Sequence, residues 1–320
     1  MSKKTKLWLV MATCLVLIGC IIFGGVMTLL KWDFKKLSTV KYETNTYDID
    51  NSFNNISIKT DTSDIIFEKA EDGKTKLVCY EPQNAKHMVD VKDNTLTAEL
   101  SDKRKWYEYI GINVGVPKIT VFLPETEYGT LFIKKSTGDT QLPKDFKFKS
   151  IDISASTGQI KAYASATDDI KIKTSTGDIN VKDITAETIE LSVTTGRITA
   201  SNITVDGDFK TKVSTGKTYL TDIKCKNLLS NGSTGDIALT NVIATGKFNI
   251  ERDTGDVKLH KCDAYEIFIE TDTGSVIGDL LSSKVFITKT DTGRVDVPKT
   301  VEGGRCEITT DTGNIKITVD

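Results

Sequence analysis

The sequence predicts an all-β chain: a right-handed, single-stranded parallel β-solenoid (β-helix) with roughly 19–20-residue turns, preceded by one N-terminal transmembrane helix. Three observations predict it. Thr-Gly preceded by Ser, Asp or Thr recurs ten times, at Gly138, Gly158, Gly177, Gly196, Gly216, Gly235, Gly255, Gly274, Gly293 and Gly313, and each step along that series is either 19 or 20. Apolar residues hold fixed offsets from those glycines. Residues 7–30 are free of charge and rich in Leu, Ile, Val, Met and Phe. A fixed period of this length marks stacked repeats, because one such segment cannot bury its apolar face alone.

In chain order, residues 1–6 read as a short cytoplasmic tail and 7–30 as a signal-anchor helix long enough to cross a bilayer. Lys3, Lys4 and Lys6 precede the apolar stretch, and Lys31, Lys35 and Lys36 follow it. These charges alone do not orient it. A large polar domain after an N-terminal anchor is expected outside, since long domains cross largely regardless of charge. The expected location is therefore the cell membrane, single-pass, with the C-terminal domain extracytoplasmic. Leu17-Ile18-Gly19-Cys20 also matches a lipobox, so a lipoprotein anchored at Cys20 is the alternative, although the apolar run continues to Leu30.

Residues 31–39 are a linker, and 40–130 read as degenerate β turns and an N-terminal cap. Asp61-Thr62-Ser63-Asp64 resembles a decayed corner with Ser63 in the glycine slot, close to four repeat lengths before Gly138. Within this region Lys103–Tyr109 is a dense basic and aromatic cluster, and Trp106, Tyr107 and Tyr109 form a candidate binding loop. The alternative is that Trp106 and Tyr109 plug the end of the core.

Residues 131–320 form the regular solenoid of ten repeats. Seven residues before each glycine stands Leu131, Ile151, Ile170, Ile189, Phe209, Leu228, Phe248, Ile267, Phe286 or Cys306. Five before, seven of ten copies are aliphatic; two after, eight of ten are Ile or Val. Apolar residues two apart give strand periodicity. Each repeat is thus two short strands meeting at the Thr-Gly corner, with a second, more variable corner beyond. Ten turns at one strand spacing make a rod of roughly 48 Å, and parallel crossovers favour a right-handed coil. Glycine suits a corner with positive φ, and aligned threonines pair favourably.

The chemistry is sparse. Basic and acidic residues number 42 and 44, which gives no nucleic-acid footprint. The two histidines, His87 and His260, lie far apart, and the six cysteines have no CxxC spacing, so neither a zinc motif nor a disulfide scaffold is expected. No cofactor motif is present. Asp253, Asp272, Asp291 and Asp311 would stack at roughly 4.8 Å, which makes them calcium candidates. Asp-Thr-Gly is also the tripeptide of aspartic proteases, but four copies in one repeat slot fit corner geometry rather than a facing carboxylate pair.

Ile119-Thr120-Val121-Phe122-Leu123-Pro124, Leu131-Phe132-Ile133 and the serial units such as Ser175–Ile179 resemble the putative-adhesin β-strand-repeat family of bacterial envelope proteins, over roughly residues 40–320. The resemblance implies the β-repeat fold and, by its name, adhesion; it carries no functional residues. The expected function is binding, without catalysis, to an unknown protein or a cell-envelope polymer, with the membrane engaged through residues 7–30. A regulatory or envelope-stress accessory role at the membrane and a polysaccharide-active β-helix enzyme are the alternatives.

Overall fold

A computed structural model describes residues 2–38, 40–104, 106 and 115–319. One α-helix, Lys3–Leu29, is followed by a stacked-coil β-solenoid. The helix is long and apolar enough to cross a membrane, and none of its most apolar window is buried against protein. Ser2 caps its first turn by accepting from the Thr5 N–H.

The solenoid follows from the repeat columns. Strands pair in parallel at the repeat register, for example Ile189 beside Phe209 and Phe209 beside Leu228. The columns seven before and two after the glycine are buried almost throughout the stack, and with their neighbours they form one continuous core. At the corner, Gly216 has φ +140°, and a Cβ there would lie 1.7 Å from the Gly196 carbonyl oxygen of the coil below. Only glycine fits so close an approach. The residue after the glycine ties the coils together: the Gln159 N–H donates to Asp139, Arg197 to Asp178, and Ser275 to Asp256.

The second corner has its own chemistry. Asp183, Asn202, Asp222, Asn241 and Lys261, six residues after their glycines, all adopt φ between 50° and 56°. Asn and Asp tolerate this left-handed conformation best, and their side chains form rungs, Asn202 donating to Asp183 and Asn241 to Asp222, each at 2.6 Å.

Stacking order departs from sequence order at both ends. Strand Gly304–Thr312 lies between Val257–Thr273 and Lys284–Thr292, and Ile315–Val319 lies between Val276–Leu280 and Val295–Asp296. The corners therefore run Gly274, Gly313, Gly293, and the repeat containing Gly293 ends the rod. At the other end the Ser63 corner sits directly against Gly138, one coil away despite the long stretch of chain between them. That intervening chain supplies one further parallel coil and a reversed layer of antiparallel strands over it. Thr75–Pro82 pairs antiparallel with both Tyr42–Ile49 and Lys118–Leu123, and Ala85–Lys92 pairs antiparallel with Thr95–Asp102. Thr95–Asp102 and Lys118–Leu123 then join the Ser63 coil in parallel, on the side away from Gly138. The antiparallel strands Thr75–Pro82 and Ala85–Lys92 lie beyond them and cover the outer edge.

Candidate functional site

The sequence-predicted residues scatter. Trp106 is 76% exposed, so it does not plug the core; Tyr107 and Tyr109 lie outside the described residues. Asp253, Asp272, Asp311 and Asp291 occupy one exposed column in that spatial order, beside the paired threonines of the corner. Asp291 pairs with Lys289 at 3.2 Å. Cys79, Cys225, Cys262 and Cys306 are buried free thiols. Burial pushes Cys79, Cys225 and Cys306 up to about 12 and Cys262 to about 11.

The structure gathers a different set of groups beneath the N-terminal cap. Cys79 and Glu81 alternate inward on one strand, and His87 enters from the next. All three are buried, with ligand atoms within 4.8 Å of one another. Glu81 Oε2 lies 2.6 Å from His87 Nδ1 and accepts from the His87 backbone N–H at 2.8 Å. Asn45 donates to Glu81 Oε1 at 2.8 Å. Burial, the largest single influence, raises the Glu81 carboxyl, but the bonds from His87 and Asn45 outweigh it and hold the group below its ordinary range. His87 Nε2 lies 2.9 Å from Thr60 Oγ1, and Thr60 in turn lies 3.1 Å from Ser63 Oγ. The Tyr47 hydroxyl donates to the His87 carbonyl at 3.0 Å, and burial followed by the Glu81 and Cys79 charges pushes its phenol up to about 12.

A cavity of about 210 Å³ opens against this chain of polar groups, lined by Tyr42, Asp61, Ser63, Glu81, His87 and Arg104 among others. Sequence spacing hid the cluster. Cys79 and Glu81 are two apart, the strand signal for a shared face, but His87 joins them only because the chain turns a corner between Pro82 and Ala85, passing from the strand paired with Lys118–Leu123 to the strand paired with Thr95–Asp102.

A second concavity, about 250 Å³, lies on the outward face of the solenoid between Asn249, Glu251, Phe268, Glu270, Glu307 and Thr309. Asn231 and Asn249 each donate to Glu251, and the Arg305 guanidinium sits 5.6 Å from the Phe268 ring centre.

These features define a stacked-coil β-repeat protein with an N-terminal apolar helix. The chain belongs to the Toastrack DUF4097 family, whose model matches residues 53–212 and 204–320. No curated protein matches it. It is similar to a solved "putative adhesin" from Bacteroides fragilis NCTC 9343, at 17% identity over 87% of this chain and 97% of that one, TM-score 0.39. A "putative adhesin" from Parabacteroides distasonis ATCC 8503 is similar at 13% identity over 85% and 98%, TM-score 0.49. Another from Parabacteroides merdae ATCC 43184 is similar at 12% identity over 88% and 96%, TM-score 0.43.

Proposed function

We propose that this chain is a single-pass membrane protein whose extracytoplasmic solenoid binds a cell-envelope polymer or a surface protein, without catalysis. One observation carries this reading: an apolar helix whose most apolar window has no protein packed over it precedes a rod whose outward columns repeat at one coil spacing. Leu15, Ile21 and Leu29 are more than two-thirds exposed, a surface that lipid would cover. The rod's outer columns are polar and largely self-paired, as where Glu190 meets Lys171 and Lys173 at 3.4 and 3.1 Å. A periodic surface of this kind suits a periodic partner. Adhesion, the role given in the names of the similar solved structures, is one form such binding takes.

The groove beside Phe268 is the favoured contact. A ring flanked by the carboxylates of Glu251, Glu270 and Glu307 offers a sugar an apolar platform and hydroxyl acceptors together. The test is retention of the full chain, in detergent, on purified envelope glycan. Wild type is retained, and Phe268→Ala with Glu270→Gln reduces retention at least about tenfold, the loss of roughly 1.4 kcal/mol. Equal retention of both proteins, or of neither, on glycan and on whole-cell surface extracts contradicts the reading.

A further inference from the structure

We propose that Cys79, Glu81 and His87 form a binding site for a zinc-class divalent ion, which clamps the N-terminal cap onto the first coil. The inference is independent of what the outer face binds. The three residues are 0%, 0% and 3% exposed. Their donor atoms, one sulfur, one carboxylate oxygen and one imidazole nitrogen, already converge within 4.8 Å. Thiolate, imidazole and carboxylate are the ligand types that zinc takes, and three protein ligands leave a fourth position open.

The surroundings fit the same assignment. Thr60 Oγ1 lies 2.9 Å from His87 Nε2, so the outer ring nitrogen has a partner that orients the ring while Nδ1 faces Glu81. Asn45 does the same for Glu81 from the other side, holding Oε1 at 2.8 Å and leaving Oε2 toward His87. Partners of this kind, one shell out, fix ligand geometry in metal sites. Glu81 and His87 both line the cavity of about 210 Å³, which gives an ion a way in and room for a water on the fourth position.

Ligation inserts the ion between Nδ1 and Oε2, now 2.6 Å apart, and they separate to coordinate it. The Cys79 sulfur gives up its proton to solvent, and so does Nδ1 if it carries one. Binding therefore releases protons and strengthens as pH rises. The clamp joins strand Thr75–Pro82 to strand Ala85–Lys92 and, through Thr60, to the first coil.

The experiment strips the full chain in detergent with a chelator under a non-thiol reductant, then titrates it with cobalt(II) and with zinc. Expected are an equimolar endpoint, a near-ultraviolet thiolate-to-cobalt charge-transfer band with four-coordinate visible bands, displacement by zinc, and a zinc-dependent rise in Tm of several degrees. Cys79→Ser abolishes the charge-transfer band, and His87→Gln weakens zinc binding at least about tenfold, in line with losing a ligand. X-ray absorption on zinc-loaded wild type, which needs no variant to fold, shows one sulfur at about 2.3 Å with nitrogen and oxygen at about 2.0–2.2 Å. Absence of the band and of any zinc effect on Tm overturns the proposal and leaves a buried hydrogen-bonded pair. A band that survives in folded Cys79→Ser, or absorption without sulfur, overturns it equally.

Discussion

Lys135 offers the sharpest test of how the core is built. It occupies the column three residues before the glycine, which faces inward, and is 4% exposed. Its ammonium has no hydrogen-bond partner among the described residues. Burial brings its pKa down from 10.5 to about 8, with Asp64 and Asp139 pulling weakly the other way. A fall of about 2.5 at about 1.36 kcal/mol each makes the charge cost ~3 kcal/mol at neutral pH. Lys135→Met keeps the stem and removes the charge, so at pH 7 the variant is more stable by about 2–3 kcal/mol, or roughly 4–8 °C in Tm. The native lysine loses its proton near 8, whereas the unfolded one keeps it to 10.5. Between those values the unfolded state binds more protons, so the wild type gains stability relative to the variant as pH rises. Thermal or denaturant melts of both proteins therefore show a constant gap below pH 8 that closes by pH 10.5. A gap independent of pH, or a destabilised variant, refutes this account of Lys135.

Three further outcomes follow from the same geometry. Arg252 is 4% exposed, its Nε has no partner among the described residues, and burial lowers it to about 10; Arg252→Met raises Tm by a few degrees, since a buried cation held by a hydroxyl rather than a carboxylate yields to an apolar side chain, and a fall in Tm counts against that. Gly216→Ala forces the corner open against the Gly196 carbonyl and costs more than about 3 kcal/mol by denaturant melts, whereas Gly73→Ala, which meets nothing within 4 Å, costs about 1 kcal/mol from its φ of 70° alone. Cys225, Cys262 and Cys306 resist alkylation in the folded protein and react together on unfolding; fast native labelling at any of them contradicts their burial.

Much of the fold was legible because each column repeats the same physical demand ten times. The aliphatic slots and the Thr-Gly corner each satisfy a packing or backbone constraint that no other residue type meets as well. Even the breaks in pattern carry meaning once placed in space. Thr211 and Ser230 interrupt an aliphatic column, and both belong to the network that accommodates Arg252, with Arg252 donating to Ser230 and Thr211 donating to the same oxygen. Gly232 completes it, since a Cβ there would fall 1.7 Å from Arg252 Nη1. The second corner was harder to read because Asp, Asn and Lys share it, so backbone conformation rather than residue identity is what repeats. Stacking order was not legible at all. Every coil presents the same register to its neighbours, so the Gly313 coil fits between the Gly274 and Gly293 coils as well as after them. The cluster of Cys79, Glu81 and His87 was hidden for a related reason: it depends on a corner between two antiparallel cap strands that no repeat dictates.

The most direct test of the stacked architecture is disulfide trapping at its distal end, in a chain with Cys14 and Cys20 replaced by Ser. Glu270 pairs with Thr309, and Thr309 pairs with Lys289, on adjacent parallel strands. Neighbouring strands lie about 4.8 Å apart, within the Cα span of a disulfide, whereas strands two apart lie about 9.6 Å away and outside it. Glu270→Cys with Thr309→Cys, and Thr309→Cys with Lys289→Cys, should cross-link on mild oxidation, while Glu270→Cys with Lys289→Cys should not. Cross-linking of that last pair alone would mean coils stacked in sequence order, and cross-linking of none would mean the repeats do not lie over one another.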